Sequence, residues 1–295
     1  MVAPDESIVP VSLTTAMATY LEDVAHVRTE NVFLNHVSLS KRVLEYFSTH
    51  RPIATVDQLR RPDCLAFLDW FTHKRGSFTP ATYNMGIEFL RHFGRFCVAR
   101  GWSKEVFAVD IPYQAIAVEV PTVLTPDELS RLIAVTQEDD FNRMLIGLLG
   151  QIGLKKQELV ALRFADLELD EPGPAIVVRY TGKLQKKSRR LVVPARLAAA
   201  MRRYVERCKE AGTWNLLGPI VPITGRQVNN IIVALCREAG VRRANPQILR
   251  DTAAVQLLQA GVPTTEVGRQ LGYTPRGYLL EFLPRFQLWI DPSSS

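Results

Sequence analysis

The chain has 295 residues, 36 Lys and Arg against 30 Asp and Glu, and a net charge of +6, a length that suits two domains with a sizeable core each. Its five histidines, His26, His36, His50, His73 and His92, all lie in the first third, so the remainder offers none for a Ser-His-Asp or Cys-His triad or a His-ligated zinc. Cys64, Cys97, Cys208 and Cys236 are far apart and form no CxxC pair, which excludes a zinc knuckle or redox motif and points to reduced core residues in a cytoplasmic setting.

The opening MVAPDESIVP is acidic and contains proline, unlike a signal peptide, and no apolar run approaches the ~20 residues of a membrane span. Met17, Tyr20, Leu21 and Val24 recur at helical spacing, as do Val32, Leu34, Val37, Val43, Leu44 and Phe47. Thr55 to Gln58 has the pattern of a capping box and predicts the start of a third helix carrying Leu59, Leu65, Phe67, Leu68 and Phe71. Thr79-Pro80 opens a fourth helix with Ile87, Leu90, Phe93, Phe96 and Cys97 on its apolar face, and Gly101 stops it. Residues 1–106 therefore read as a helical domain. Residues 107–123 carry two prolines, little charge and no helical period, and read as a linker. A second domain, 124–295, begins with the proline-containing capping box Thr125 to Glu128. It continues through a helix from about Phe141, a break at Gly153 and a helix through Leu159 and Leu162. The β-branched runs Ala175–Tyr180 and Arg190–Pro194, joined by a basic turn, predict a hairpin. Helices follow near 195–211, 225–239 and 247–260, the second opened by a Thr224 to Gln227 capping box, and the last begin near Thr264 and Arg276. The fold class is mainly α with a small β-hairpin or sheet (α+β).

Charge is unevenly placed. Residues 1–120 are nearly neutral, whereas between Lys183 and Arg250 there are 15 basic residues and three acidic ones. Spread over several folded elements, this excess is the footprint expected for a polyanion, most simply nucleic acid, rather than for a membrane surface.

The order TPDELSRLI, LGQIGLKKQELVALRFADLEL, basic hairpin, NPQILRDTAAVQLLQAG, GRQLGYTP resembles the tyrosine recombinases, or phage-type integrases. The stretch TPATYNMGIEFLRHFGRFCVARGW is similar to their helical (SAM-like) core-binding domain, so the likeness covers nearly the whole chain. It implies a core-binding domain and a recombinase-like catalytic domain forming a C-shaped clamp on double-stranded DNA, with no metal or other cofactor. In such enzymes a tyrosine attacks a DNA phosphodiester, two arginines hold the non-bridging oxygens, a hairpin lysine protonates the leaving oxygen and histidines assist.

Carried over position by position, the motifs are degenerate. Gly153-Leu-Lys-Lys-Gln-Glu-Leu159 has Lys155 where the first arginine belongs, which keeps the charge and loses the planar fork. Lys183 matches the hairpin lysine, with Lys186 as a rival. Gln247-Ile-Leu-Arg-Asp251 keeps Arg250 and lacks both histidines. Tyr273 replaces the histidine of Leu-Gly-His, and the nucleophile position falls on Phe282, which has no oxygen to attack phosphorus. The resemblance thus implies a DNA-binding relative that has lost strand cleavage, a non-cleaving accessory or architectural factor of a mobile element. The alternative is an active recombinase using Tyr278, one helical turn before Phe282, or a partner's tyrosine. Phosphate contacts are expected from Lys183, Lys186, Lys187, Arg189 and Arg190 on the hairpin and from Arg226, Arg242, Arg243 and Arg250. Thr79, Thr82, Tyr83, Asn84, Arg91 and Arg95 lie on the helix that the family places near the major groove. The resemblance also implies pairs or tetramers, with copies of itself or with other recombinases, joined through the apolar tail residues Leu283, Phe286, Leu288, Trp289 and Ile290. Alternatively, the tail folds back on its own domain.

Overall fold

The computed structural model describes residues 9–28, 30–73, 79–170, 173–179 and 188–290. The chain is mostly helical with one small antiparallel sheet, and it divides after Ala117 into two compact units.

The first unit contains α1 (Leu13–Val27), α2 (Glu30–Thr49), α3 (Arg61–His73) and α4 (Pro80–Ala99). Their apolar stripes meet in a core of Met17, Tyr20, Val43, Phe47, Phe67, Phe71, Ile87 and Phe93. Ser12 and Thr79 cap α1 and α4 by accepting from the backbone N–H three residues on. The capping pattern at Thr55 does not open the third helix. Val56–Gln58 is a single 3₁₀ turn, and Gln58 Oε1 instead accepts from the backbone of Ala54 at 3.1 Å. α3 starts later, where Asp63 accepts from the backbone N–H of Arg60 at 2.8 Å.

The expected linker begins inside this core: Phe107, Ala108 and Ile111 are buried with it. They are held there by α4. Arg91 donates to the carbonyls of Ala108, Val109 and Ile111 at 3.1, 2.9 and 2.7 Å. Its guanidinium also lies 4.4 Å from the centre of the Tyr113 ring, and Asn84 exchanges two 2.8 Å hydrogen bonds with the backbone of Gln114.

The second unit contains α5 (Pro126–Ala134), α6 (Asp140–Gly150), α7 (Lys156–Ala161), strands β1 (Leu167–Glu168), β2 (Ala175–Arg179) and β3 (Ser188–Val192), then α8 (Ala195–Glu210), α9 (Gly225–Glu238), α10 (Pro246–Gln259) and α11 (Thr264–Gln270). The capping boxes at Thr125 and Thr224 both form. The sheet order is β1-β2-β3, all antiparallel, with Ala175 opposite Val192 and Val178 opposite Arg189. Two-residue β1 lacked any sequence signal. The period of two along β3 turns Arg189 and Leu191 inward and Arg190 and Val192 outward. The hairpin turn, with Lys183, Lys186 and Lys187, lies outside the described residues.

The main core of this unit joins Leu145, Leu148 and Leu149 of α6 to Leu197 and Met201 of α8 and Val228 and Ile232 of α9. A smaller one collects Val255, Val267, Leu271, Phe282 and Phe286. It is closed by the C-terminal segment: α12 (Pro275–Gly277), a π-helical stretch Tyr278–Phe282, α13 (Leu283–Arg285) and α14 (Gln287–Ile290). Tyr278, Phe282 and Phe286, four residues apart, stack in sequence with ring centres 5.5 and 4.9 Å apart. The four cysteines are buried and free. Among the described residues no helix is long and apolar enough to cross a membrane.

Candidate functional site

Gly153 breaks the chain after α6 with φ +81°, a left-handed turn that a side chain would strain. The turn delivers Lys155 and Lys156 to the start of α7. Asn245 then caps α10, accepting from the N–H groups of Gln247 and Ile248 at 2.8 and 2.9 Å, and this fixes the helix that carries Gln247 and Arg250. A cleft of about 340 Å³ opens between these segments and α9, lined by Lys155, Lys156, Asn229, Asn245, Pro246, Gln247 and Arg250. The structure thus brings together three of the expected positions, Lys155, Gln247 and Arg250.

Arg250 is only 3% exposed. Its guanidinium donates to the carbonyls of Gly153 at 2.5 Å and Leu271 at 2.6 Å, and lies 5.6 Å from the centre of the Tyr273 ring. Five N–H groups are available to an arginine, so these two bonds fix its plane without exhausting it. Burial, and then the like charge of Arg250, pull the Lys155 ammonium below its ordinary pKa. A group in that position gains from an incoming anion. Gln247 donates its amide to Asp251 at 2.8 Å, and Asp251 also accepts from Arg285. Burial raises the pKa of this carboxyl and Arg285 partly offsets the rise. The side-chain oxygen of Asn229 is buried without a hydrogen-bond partner.

Behind the cleft, Glu158 and Arg189 form a bidentate pair at 2.9 and 2.7 Å. Glu158 also accepts from the backbone of Lys155 at 2.8 Å, and Arg189 donates to the carbonyl of Gln270 at 2.9 Å. Burial opposes the Glu158 charge, but the bonds from Arg189 outweigh it and hold the carboxyl below its usual range. Arg189, expected on DNA, is therefore a buried structural residue.

Arg91 and Asn84 are corrected in the same way. Both head groups bond the backbone of residues 108–114, a structural use that the sequence reading did not anticipate. Thr79 and Thr82 form the cap of α4, and Tyr83 packs half-buried against the first core. Arg95 stays exposed. In the second unit Arg190 bonds Glu168 at 2.5 Å and the carbonyl of Gly173 at 3.1 Å, while Arg242 sits 3.3 Å from Glu128. Arg226, in the first turn of α9, and Arg243 are exposed.

The position expected for the nucleophile, its alternative Tyr278, and Tyr273 are not in the cleft wall. Phe282 is completely buried. The Tyr278 hydroxyl bonds Thr264 at 2.7 Å, and its ring lies on Gly268, where a Cβ would come within 2.6 Å of it. Tyr273 packs between Arg250 and Phe282. The tail, for which docking on a neighbour and folding back were both open, packs largely within its own chain. Phe286 is completely buried, Leu283, Trp289 and Ile290 pack on the same cluster, and Leu288 keeps 39% exposure. Among the described residues no group of three or more His, Cys, Asp or Glu is placed to hold a metal ion.

Residues 122–276 match the family model described as the phage integrase family, more than half of the chain. The chain belongs to the phage integrase family. A tyrosine recombinase of Pseudothermotoga lettingae is 30% identical over 156 residues, 52% of this chain and 53% of that protein. The tyrosine recombinase XerD of Oceanobacillus iheyensis is 25% identical over 246 residues, 78% of this chain and 79% of that one. Among solved structures, the Tn1549 transposon integrase in complex with a circular intermediate DNA superposes with a TM-score of 0.70 at 17% identity, over 93% of this chain and 94% of that chain. At that identity the likeness concerns the fold.

Lys156, Asn229 and Asn245 were not singled out from the sequence of this family member. Asn245-Pro246 carries a readable helix-start signal and Lys156 adjoins a position already singled out. Asn229 lies mid-helix and reaches the cleft only through the packing of α9 on α7.

Proposed function

We propose that this chain is a double-stranded-DNA-binding member of the phage integrase family that does not cleave its substrate, acting as an accessory subunit or architectural factor in recombination or integration of a mobile element. The observation that carries this reading is the split between the two halves of the site. The cleft gathers Lys155, Lys156 and Arg250, groups suited to a phosphate, while the nucleophile position is a phenylalanine sealed in an aromatic stack. Exposed Arg95, Arg226 and Arg243, with Arg190 and Arg242 in solvent-exposed ion pairs, supply further phosphate contacts. Lys183, Lys186 and Lys187, which match the family's hairpin by sequence, are proposed as phosphate contacts as well. The Tyr278 alternative is disfavoured by its hydroxyl bond to Thr264. Assembly with other recombinase copies fits the family; with most of the tail packed at home, it would draw on exposed Leu279, Leu280 and Leu288. The working compartment under this reading is the DNA-containing cytoplasm.

The test is incubation with a nicked suicide duplex followed by denaturing electrophoresis, alongside a mobility-shift titration. Retarded duplex without a covalent adduct is the expected result. An adduct that disappears in Tyr278→Phe would overturn the non-cleaving assignment, and loss of all duplex retardation would overturn the DNA-binding one.

A further inference from the structure

A second cleft, of about 300 Å³, lies between α5, α6 and the first turn of α8 and shares no residue with the first. Ile133 and Leu197 give it an apolar wall, and Gln137, Arg143, Gln151 and Arg196 form its polar lining. None of these four polar side chains makes a hydrogen bond or ion pair among the described residues. This is not how the same helices treat their other arginines. Arg131 on α5 is bonded to Asp127 at 3.0 Å, and Arg203 and Arg207 on α8 share Asp140, each at 2.6 Å. Where an arginine serves the fold on these helices it has a partner, an acid or, for Arg202 on α8, the carbonyl of Leu169 at 3.1 Å.

Arg143 and Arg196 both line the recess with no acidic partner among the described residues, and the four side chains together offer many donors and two amide acceptors. We infer that this cleft binds a small organic anion, with a phosphate or carboxylate head on Arg143 and Arg196 and a compact apolar body against Ile133 and Leu197. Its size is at the lower end of small-molecule sites, which suits a single ring and its head group. The planar forks of both arginines match either head. The assignment does not depend on the DNA-binding proposal, because no residue is shared between the two clefts.

The test is isothermal titration of the full chain with phenyl phosphate, benzoate, inorganic phosphate and benzyl alcohol, repeated on Arg143→Gln/Arg196→Gln. Saturable binding of phenyl phosphate or benzoate is expected, the stronger of the two identifying the head group. Inorganic phosphate should bind more weakly and benzyl alcohol not at all. The double variant should fold with an unchanged or higher melting temperature and bind at least about tenfold more weakly. Four results would overturn the inference: no saturable binding of either organic anion, equal binding in the double variant, equal binding of inorganic phosphate, or displacement of the probe by duplex DNA. The last would make the cleft part of a nucleic-acid surface. A mobility shift on the double variant separates the two proposals, since its duplex binding should be retained.

Discussion

Breaking the Glu158–Arg189 pair would leave a carboxylate enclosed in protein with its main counter-charge gone. The two side chains are 11% and 5% exposed, and removing one member of a buried pair typically costs about 3–5 kcal/mol. Arg189→Met should therefore lower the unfolding free energy by that amount, measured by urea denaturation against the parent chain. The pair also shapes the acid limb of stability. Glu158 titrates below its ordinary 4.5, so its contribution is complete above the unfolded value and is lost as pH falls through the lower folded value. Glu158→Gln should flatten that part of the stability-pH curve and leave its neutral portion with a constant offset. At Phe282 the outcome is the opposite of a restored enzyme. A tyrosine placed there would bury a hydroxyl within an aromatic stack, at a cost of about 1–3 kcal/mol if left unpartnered. Phe282→Tyr should melt earlier than the parent and still give no covalent product on a nicked duplex.

At the scale of elements, α4 acts as a splint for the chain that leaves the first unit. Three carbonyls on Arg91, one of them at Ala108 with φ +72°, keep residues 108–111 against the helix. Arg91→Ala should make this segment the earliest site of limited proteolysis, followed by mass spectrometry of the fragments. This use of Arg91 was not legible in the sequence, because its acceptors lie 17 to 20 residues away in a stretch without period. Asn84 was illegible for the same reason. The helices themselves were legible wherever a capping residue met an apolar stripe, as at Thr79, Thr125 and Thr224. Thr55 misled because the same four-residue pattern also closes a 3₁₀ turn. Arg189 was half-legible: alternation along β3 puts it on the core face, but a basic residue there invites a surface reading until Glu158 is seen opposite. Lys155, Gln247 and Arg250 were placed through family motifs, and the cleft they share depends on the Gly153 turn and the Asn245 cap.

For the molecule as a whole, the proposed duplex binding makes a quantitative demand on salt. Each phosphate neutralised contributes about −0.9 to the slope of log affinity against log salt. Replacing exposed Arg226 and Arg243 by alanine should reduce that slope by about two if both contact phosphates; an unchanged slope places them off the DNA. The bonds around Arg250 have a further consequence, one of ancestry rather than mechanics. Its guanidinium ties the turn at Gly153 to the end of α11 at Leu271, so the residue answers to folding as well as to any ligand. Under the proposed non-cleaving reading, the nucleophile position can drift to phenylalanine, yet this arginine cannot be released without loosening two segments of the unit. An arginine here is therefore a poor marker of an active enzyme, and what stands at Lys155, Gln247 and Phe282 is the better test of whether a relative still cuts.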